Sequence, residues 1–247
     1  MDRAVLITGA SRGIGAATAH AFAADGDRVA VHYSSSRESA EKVVAALPGD
    51  GHVLVHADLA DADAVQAMVD EAAAGLGRID VLVNNAGVYH PHRIRETTYA
   101  EWQQAWTDTL AVNLLGPANA TWCAVRHMSR GGRIINVSSR GAFRGEPNQP
   151  AYGASKAAIV SLTQSLARAL GPEGIAVTAI APGWTTTDMA APNLAGEGHN
   201  RRRLESPLER VAAPPEVAAA ILYLASPAAE FATGTILDFN GASHLRM

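Results

Sequence analysis

The sequence predicts an α/β protein in which one doubly wound parallel sheet is covered by helices on both faces. Two observations predict this architecture. Short apolar, β-branched runs alternate with longer alanine-rich segments along the chain, as expected for parallel strands joined by crossover helices. The chain also has 247 residues, 48% of them hydrophobic, which is enough for one sizeable core but short for two. We therefore expect a single domain over residues 1–247.

The predicted elements alternate strictly between strand and helix. The expected strands are AVLIT, RVAVHY, HVLVHA, IDVLVNN, RIINVSS, IAVTAIAPG and TILDFN. The expected helices span residues 16–24, 38–47, 62–76, about 101–128, 152–170 and 215–224. Asp61 is the expected cap of the third helix, and Gly26 and Gly171 are the expected left-handed residues after the first and fifth. Because ligands of open parallel sheets bind at the carboxyl ends of the strands, site residues are sought directly after each strand.

Composition excludes several classes of function. The formal charge of −4 and the isoelectric point near 6.1 give no global basic field for nucleic acid or an anionic membrane. The single cysteine, Cys123, cannot form an intrachain disulfide and is expected to be a small core residue. A strand-like run begins almost at Met1, and no apolar segment is long enough to cross a bilayer. The cysteine usage and this early strand predict a cytoplasmic protein. His90 and His92 lack a further nearby ligand, so we expect no metal site.

The segment TGASRGIG, residues 8–15, places Gly9, Gly13 and Gly15 between the first strand and the first helix. A glycine cluster indicates either a positive φ or a group that approaches too closely for a Cβ. The N-terminus of the following helix offers free N–H groups and the positive end of its dipole. This arrangement is typical of a phosphate-binding turn; on glycine spacing alone, an ordinary strand-to-helix turn is the alternative.

Further motifs follow the later strands: HADL after the third, NNAG after the fourth, VSS after the fifth and PGW after the sixth. The segment YGASK puts Tyr152 and Lys156 on one face of a helix, and twelve residues separate Ser139 from Tyr152. With these motifs in this order, the sequence resembles the short-chain dehydrogenase/reductase family, in particular its members similar to 3-oxoacyl-carrier-protein reductases. The resemblance covers nearly the whole chain and implies a Rossmann-type fold and an NAD(P)-dependent enzyme.

The resemblance implies a catalytic tetrad of Asn113, Ser139, Tyr152 and Lys156. When a ketone accepts hydride, its oxygen needs a proton, and a phenol donates one well only if its pKa falls below the usual value of about 10. The lysine charge is expected to lower that pKa. Ser139 would donate a hydrogen bond to the substrate oxygen, with Ser138 in a supporting role. Asn113 would hold a water that connects Lys156 to solvent; the alternatives are a structural asparagine and an ordinary exposed Tyr–Lys pair.

The segment VHYSSSRES after the second strand indicates which nicotinamide cofactor is used. An NAD enzyme has an acidic residue there for the ribose hydroxyl, whereas this chain has Tyr33, followed by Ser34, Ser35 and Arg37. Arg12 lies within the glycine motif. Hydroxyl and guanidinium groups suit a phosphate, so we expect NADP, with NAD as the alternative. The segment SSRE, residues 35–38, also has the pattern of a helix capping box, and both roles can hold together.

The resemblance extends to the rest of the cofactor site. Asp58 matches the family's contact to the adenine ring, residues 85–87 lie beside the adenosine ribose, and Thr187 matches the residue that holds the nicotinamide carboxamide. The expected cofactor-binding residues are Gly9, Ser11, Arg12, Gly13, Ile14, Gly15, Tyr33, Ser34, Ser35, Arg37, Asp58, Leu59, Asn85, Ala86, Gly87, Tyr152, Lys156, Pro182, Gly183, Thr185 and Thr187.

Loops after the fourth, fifth and sixth strands would frame the substrate. The last of these, at about residues 188–210, is long and polar and is the expected substrate lid. Arg140, Arg144 and the run 201–203 make the loops more basic than the whole chain. These arginines have two alternative interpretations: they favour an anionic substrate or a phosphopantetheine carrier, or they are ordinary solvated surface residues.

Three functions compete on this sequence. The first is an NADP-dependent carbonyl reductase that acts on a 3-oxoacyl thioester or a related β-keto compound. The second is an NAD-dependent sugar or polyol dehydrogenase. The third is a non-catalytic dinucleotide-sensing module, although a sensor has no need for Tyr152 and Lys156 together. The resemblance also implies a homotetramer, in which the alanine-rich helix 152–170 and the helix before it pair with copies from other subunits.

Overall fold

Seven parallel strands form the centre of the molecule in the computed structural model, which describes residues 2–246. The strands are β1 (Ala4–Ile7), β2 (Arg28–Tyr33), β3 (Val53–His56), β4 (Val81–Asn84), β5 (Arg133–Val137), β6 (Ala176–Pro182) and β7 (Ile236–Phe239). Their order in the sheet is β3-β2-β1-β4-β5-β6-β7, and every neighbouring pair is parallel. The order reverses between β1 and β4, which is where a doubly wound sheet opens a ligand crevice. The predicted fold class is confirmed.

Helices cover both faces of this sheet. They are α1 (Gly13–Ala24), α2 (Arg37–Ala46), α3 (Ala62–Leu76), α4 (Tyr99–Leu110), α5 (Gly116–Ala124), α6 (Gly141–Arg144), α7 (Pro150–Leu170), α8 (Glu197–Arg203) and α9 (Pro214–Leu224). On one face, side chains of α1, α2 and α9, such as Phe22 and Ile221, pack with Ile7 of β1. On the other face, α3, α5 and α7 pack against Leu6 and Leu82. Alternate residues of each strand therefore enter two separate cores, which fixes the strand ends in one plane.

Helix ends agree with the sequence at some positions and differ at others. Asp61 caps α3 by accepting hydrogen bonds from the N–H groups of the next turn, and Gly26 has the expected positive φ of 83°. The prediction for Gly171 was wrong, because its φ is −52° and a 3-10 turn continues α7 to Gly174, which has φ 75°. The SSRE capping box is also not formed: Ser36 is the N-cap of α2 and makes no side-chain cap bond.

The expected long helix over residues 101–128 is interrupted. It consists of α4, a π-helical segment (Ala111–Leu115), α5 and a final 3-10 turn. In the π segment the N–H of Gly116 bonds to the carbonyl of Ala111, five residues earlier. Pro117 has no N–H to offer to the carbonyl of Asn113, four residues before it. The interruption thus falls on a fully buried residue, Asn113, that the sequence had placed in the active site.

Within residues 2–246, no helix is both long enough and apolar enough to span a membrane.

Candidate active site

A cavity of about 440 Å³ runs along the carboxyl ends of the strands, from Tyr33 at the end of β2 to Ser139 after β5. The glycine-rich turn forms its floor. A Cβ on Gly9, which has φ +65°, would lie 2.8 Å from the Cα of Ala86, and a Cβ on Gly15 would lie 2.3 Å from the carbonyl oxygen of Gly9. Larger residues at these two positions would push the turn away from the segment after β4 and from α1. The glycines therefore allow strand, turn and helix to approach closely around the cavity.

Side chains hold the glycine turn in place. Thr8 Oγ1 accepts hydrogen bonds from the N–H groups of Asn85 and Ala86, at 3.0 and 3.1 Å. The Asn85 amide donates to the carbonyl oxygens of Thr8 and Gly9, at 2.9 and 3.0 Å. The side chain of Asn85 is therefore engaged with the turn rather than turned toward a ligand. The segments after β1 and β4 consequently behave as one unit.

His32 of β2 is a further support for the turn. Its Nδ1 accepts the N–H of Gly9 at 2.9 Å, and its Nε2 lies 3.1 Å from the carbonyl oxygen of Ala57, to which it donates. These two bonds require the neutral imidazole with the proton on Nε2. Burial lowers the pKa of His32 from 6.5 to about 4, and the nearby His56 acts in the same direction. The imidazole thus stays neutral and connects the turn to the loop after β3.

The far end of the cavity contains the residues expected to select the cofactor. Tyr33 is buried and packs against His56, with ring centroids 5.0 Å apart. Ser34 and Ser35 are exposed on the cavity wall. Arg12 is largely exposed and lies 3.9 Å from Asp188. No acidic side chain occupies the position of Tyr33, so this end of the cavity is open to an anionic group.

Ser139, Tyr152 and Lys156 meet at the other end of the cavity. Lys156 Nζ lies 5.7 Å from the centroid of the Tyr152 ring and donates a 2.8 Å hydrogen bond to the carbonyl of Val137. Ser139 Oγ accepts the N–H of Gly141 at 3.0 Å, and its hydroxyl is also hydrogen-bonded with Tyr152. Ser138 Oγ donates to the carbonyl of Lys156 at 2.9 Å. Strand β5 and helix α7 are therefore joined directly beside the reacting groups.

Burial acts on both ionisable groups of this cluster. It raises the pKa of Tyr152 to about 12, an effect that the hydrogen bond with Ser139 only partly opposes, and it lowers the pKa of Lys156 to about 8. The expected lowering of the tyrosine pKa by the lysine is thus reversed in this state. The physical reason is that desolvation of the phenolate outweighs the hydrogen bond with Ser139, and the charge of Glu146 acts in the same direction as burial.

Asn113 lies behind this cluster rather than on the cavity wall. Its Nδ2 donates to the carbonyl of Val88 at 3.0 Å and its Oδ1 accepts the N–H of Val88 at 2.8 Å. A Cβ on Gly87 would lie 3.3 Å from Asn113 Oδ1 and 3.5 Å from Lys156 Nζ, so both groups surround this glycine. The side chain of Asn113 is structural. Both polar groups of the side chain are engaged with the main chain of Val88.

Aromatic and charged side chains form the substrate end of the cavity. Tyr89 meets the Tyr152 ring edge to face, with centroids 4.8 Å apart. Trp184 and Glu146 line the same wall. Glu205, from the expected lid, accepts hydrogen bonds from three arginines, which are Arg140, Arg144 and Arg202. The guanidinium carbons of Arg140 and Arg202 lie 5.7 and 4.6 Å from the Trp184 ring centroid. This cluster ties the segment after β6 to the loop that carries Ser139.

Comparison with known proteins places this site in a family. The family model described as enoyl-(acyl carrier protein) reductase matches residues 9–244. The chain is 38% identical to the 3-oxoacyl-[acyl-carrier-protein] reductase FabG of Staphylococcus aureus, over 99% of both proteins. It is 39% identical to the cis-4-hydroxycyclohexanecarboxylate dehydrogenase of Sinomonas cyclohexanicum, over 97% of this chain and 96% of that one. A crystal structure of a short chain dehydrogenase from Burkholderia cenocepacia J2315 in complex with NADP has a TM-score of 0.89 at 37% identity, covering 98% of this chain and 97% of that one.

The chain is a short-chain dehydrogenase/reductase. As a member of that family it is an NAD(P)-dependent oxidoreductase. The structure of BdcA in complex with NADPH is similar as well, with a TM-score of 0.87 at 33% identity over 97% of this chain and 93% of that one.

In this short-chain dehydrogenase/reductase, most of the site residues expected from the sequence come together on the cavity wall. They are Gly9, Ser11, Arg12, Gly13, Ile14, Tyr33, Ser34, Ser35, Asp58, Leu59, Asn85, Ala86, Gly87, Ser139, Tyr152, Lys156, Pro182, Gly183, Thr185 and Thr187. Gly15, Arg37 and Asn113 lie outside it. Gly15 sits beneath the turn, and Arg37 is exposed and bonds to Glu41 at 2.8 Å.

Sequence reasoning missed His32 and also His92, which was considered only as a metal ligand. The Nε2 of His92 accepts the N–H of Ala151 at 3.1 Å, and its Nδ1 lies 2.7 Å from the carbonyl of His90. The N-cap residue of α7, Gln149, makes no side-chain cap bond. His92 therefore supplies the missing cap at the start of the helix that carries Tyr152. No sequence pattern predicts a cap from a residue so distant along the chain.

Proposed function

We propose that this short-chain dehydrogenase/reductase uses NADPH to reduce the ketone of a 3-oxoacyl thioester or a related β-keto compound. One observation carries the proposal: Ser139, Tyr152 and Lys156 share one continuous cavity with the glycine turn and Tyr33. A dinucleotide that extends from the turn along the strand ends would reach the serine and tyrosine. The name of the S. aureus relative supports the substrate class.

The residues at the two ends of the cavity fit a phosphorylated dinucleotide. The glycine turn brings free N–H groups at the start of α1 to the cavity, which suits a pyrophosphate. Tyr33, Ser34, Ser35 and Arg12 suit a ribose phosphate, since none of them repels an anion and three of them carry exposed hydrogen-bonding groups. Structural relatives bound to NADP or NADPH support this choice. The bound nicotinamide would supply the hydride.

The side chains would supply the proton and stabilise the developing charge. Ser139, which is hydrogen-bonded with Tyr152, would donate a hydrogen bond to the carbonyl oxygen. Tyr152 would give its phenolic proton to the oxygen as the alcohol forms. Lys156, held by the carbonyl of Val137, would stabilise the resulting phenolate. A water held at Asn113, which lies with Lys156 around Gly87, would return a proton to this pair.

The protonation state of Tyr152 supports reduction as the working direction. A phenol whose pKa is about 12 holds its proton at neutral pH, as a proton donor requires. Oxidation of an alcohol needs the phenolate at the start.

The test is a spectrophotometric assay of NADPH and NADH oxidation with acetoacetyl-CoA, a small 3-oxoacyl thioester, and of NADP and NAD reduction with a panel of polyols. NADPH-dependent turnover of the thioester supports the proposal. NAD-dependent turnover of polyols alone would favour the second candidate, which the name of the S. cyclohexanicum relative, an alcohol dehydrogenase acting on a hydroxylated ring, also suggests. Binding without turnover of any substrate would identify a dinucleotide-sensing module.

Assembly into a homotetramer is part of the proposal. On α5 and the segment before it, Trp122 and Leu115 are 57% and 56% exposed. On α7, Ala154 and Ala157 are exposed, whereas Ala167 packs into the subunit's own core. A face with large apolar side chains beside a face of small ones suits helix pairing between subunits. We further propose a cytoplasmic location and a substrate lid at about residues 188–210, which Glu205 connects to the body of the subunit.

A further inference from the structure

Glu146 is an acidic side chain at the substrate end of the cavity, and its carboxylate has no assigned bonding partner among residues 2–246. Across residues 2–246, the structure records no hydrogen bond and no ion pair to its carboxylate. Its neighbour Glu205 differs, because Arg140, Arg144 and Arg202 all donate to it. Glu146 also lines the cavity, together with Tyr89 and Tyr152. A carboxylate with access to the reaction space is therefore available to a ligand.

The carboxylate of Glu146 lies beside Gly141 on the cavity wall. It lies over Gly141, where an added Cβ would come within 2.6 Å of Oε1. Tyr89 and Tyr152 line the same cavity; burial raises the pKa of both, and the charge of Glu146 acts in the same direction. Burial in turn raises the pKa of Glu146 itself. Glu146 is thus a half-buried side chain on the wall of the cavity that contains Tyr89 and Tyr152.

A desolvated carboxylate without a partner is unfavourable unless something donates a hydrogen bond to it. The donor could be a cationic or a neutral group. Three guanidinium groups, those of Arg140, Arg144 and Arg202, act on Glu146 electrostatically, and they repel a substrate ammonium group. A neutral hydroxyl donates equally well without that repulsion. The surroundings of Glu146 therefore favour a hydroxylated substrate.

We propose that Glu146 is a specificity-determining residue that accepts a hydrogen bond from a substrate hydroxyl group, one or two carbons from the reacting carbonyl. This inference rests on the proposed carbonyl reduction and adds that, among ketone substrates, those that also carry such a hydroxyl group are preferred. A hydrogen bond to a charged group changes affinity by about 10-fold or more. The same factor is expected between two ketones that differ only in this hydroxyl.

The experiment compares butanone with acetoin, which has a hydroxyl one carbon from the ketone, and with its isomer that has the hydroxyl two carbons away. Values of kcat/KM with NADPH are measured for the wild type, Glu146→Gln, Glu146→Leu and the exposed control Glu173→Gln. We expect the wild type and the control to prefer one hydroxyketone about 10-fold over butanone. The leucine variant should lose this preference, and the glutamine variant, which keeps an acceptor oxygen, should retain part of it.

Equal kcat/KM values for all three ketones in the wild type, or an unchanged preference in Glu146→Leu, would overturn the inference. Calorimetric titration of the same ketones into the NADPH-saturated protein separates this result from failure of the proposed function. If no ketone turns over but a hydroxyketone binds more tightly than butanone to the wild type and not to Glu146→Leu, the proposed reaction is wrong and the hydroxyl site stands. If the ketones bind equally, the hydroxyl site is wrong.

Discussion

Acidification is expected to destabilise the fold through His32. The neutral imidazole accepts the N–H of Gly9 and donates to the carbonyl of Ala57, and a protonated ring would lose the first of these bonds. Burial lowers the pKa of His32 from 6.5 to about 4 in the folded protein. Between these two values the unfolded chain binds the proton and the folded chain does not. The stabilisation is therefore complete above pH 6.5 and is lost as the pH falls toward 4.

The size of this effect follows from the two pKa values. They differ by about 2.5 pH units, and each unit corresponds to about 1.36 kcal/mol, so His32 accounts for about 3 kcal/mol in total. Between pH 7 and pH 5 the expected loss is about 2 kcal/mol. That is a large share of the stability of an ordinary domain.

Urea denaturation at a series of pH values measures this loss. The informative variant is His32→Asn, whose amide oxygen can accept the N–H of Gly9 but does not titrate. The control is His20→Asn, since His20 is exposed on α1. The wild type and the control should lose about 2 kcal/mol more than His32→Asn on going from pH 7 to pH 5. Parallel pH profiles for the wild type and His32→Asn would refute the reasoning, because other groups would then cause the acid sensitivity.

Three further outcomes are expected. Tyr33→Asp should shift the ratio of kcat/KM values from NADPH toward NADH by at least about 10-fold, because the new carboxylate repels the ribose phosphate of NADPH. Tyr33→Phe should leave the ratio unchanged, and a wild type that prefers NADH would contradict the reasoning. The rate of ketone reduction should decline above about pH 8, because burial lowers the pKa of Lys156 to about 8 and its ammonium group loses the charge there. A rate that stays constant up to pH 10 would show that the reaction does not need this charge. When dilution dissociates the tetramer, as followed by light scattering, activity should fall before the subunit unfolds, because α7 would lose its contacts with the other subunits. A fully active monomer would show that activity does not depend on assembly.

The sequence was sufficient for the sheet and most helices because their signals are local. The span predicted for α3 is the observed Ala62–Leu76, where Asp61 supplies a cap and the apolar period is regular. The helix after β4 was predicted without its interruption. Its π segment depends on Asn113 bonding to Val88 and on Gly116 packing against Leu59, contacts that only the folded chain brings together. The prediction of a left-handed Gly171 was wrong for a related reason, since a glycine also fits right-handed turns.

The site residues also divide into those that local sequence patterns predict and those that depend on the folded structure. Residues at strand ends, such as Ser139 and Tyr33, were predictable because parallel strands end at one edge of the sheet. His32 was not, because a histidine in a buried strand has no pattern that distinguishes a support for the glycine turn from an ordinary core residue. The direction of the Tyr152 pKa was also missed. The hydrogen bond with Ser139 and desolvation compete there, and their balance depends on burial, which spacing along the chain does not measure.

The central claim is that Tyr152 delivers the proton to a ketone reduced with NADPH. Its most direct test measures kcat and the NADPH dissociation constant for the wild type and Tyr152→Phe, the change that removes the phenolic oxygen and leaves the ring against Tyr89. Turnover should fall by at least about 100-fold, as expected for loss of a general acid, while NADPH binds within about 2-fold of wild type, since no charge or large surface is lost. A Tyr152→Phe variant that keeps most of its turnover would show that another group supplies the proton and would contradict the account.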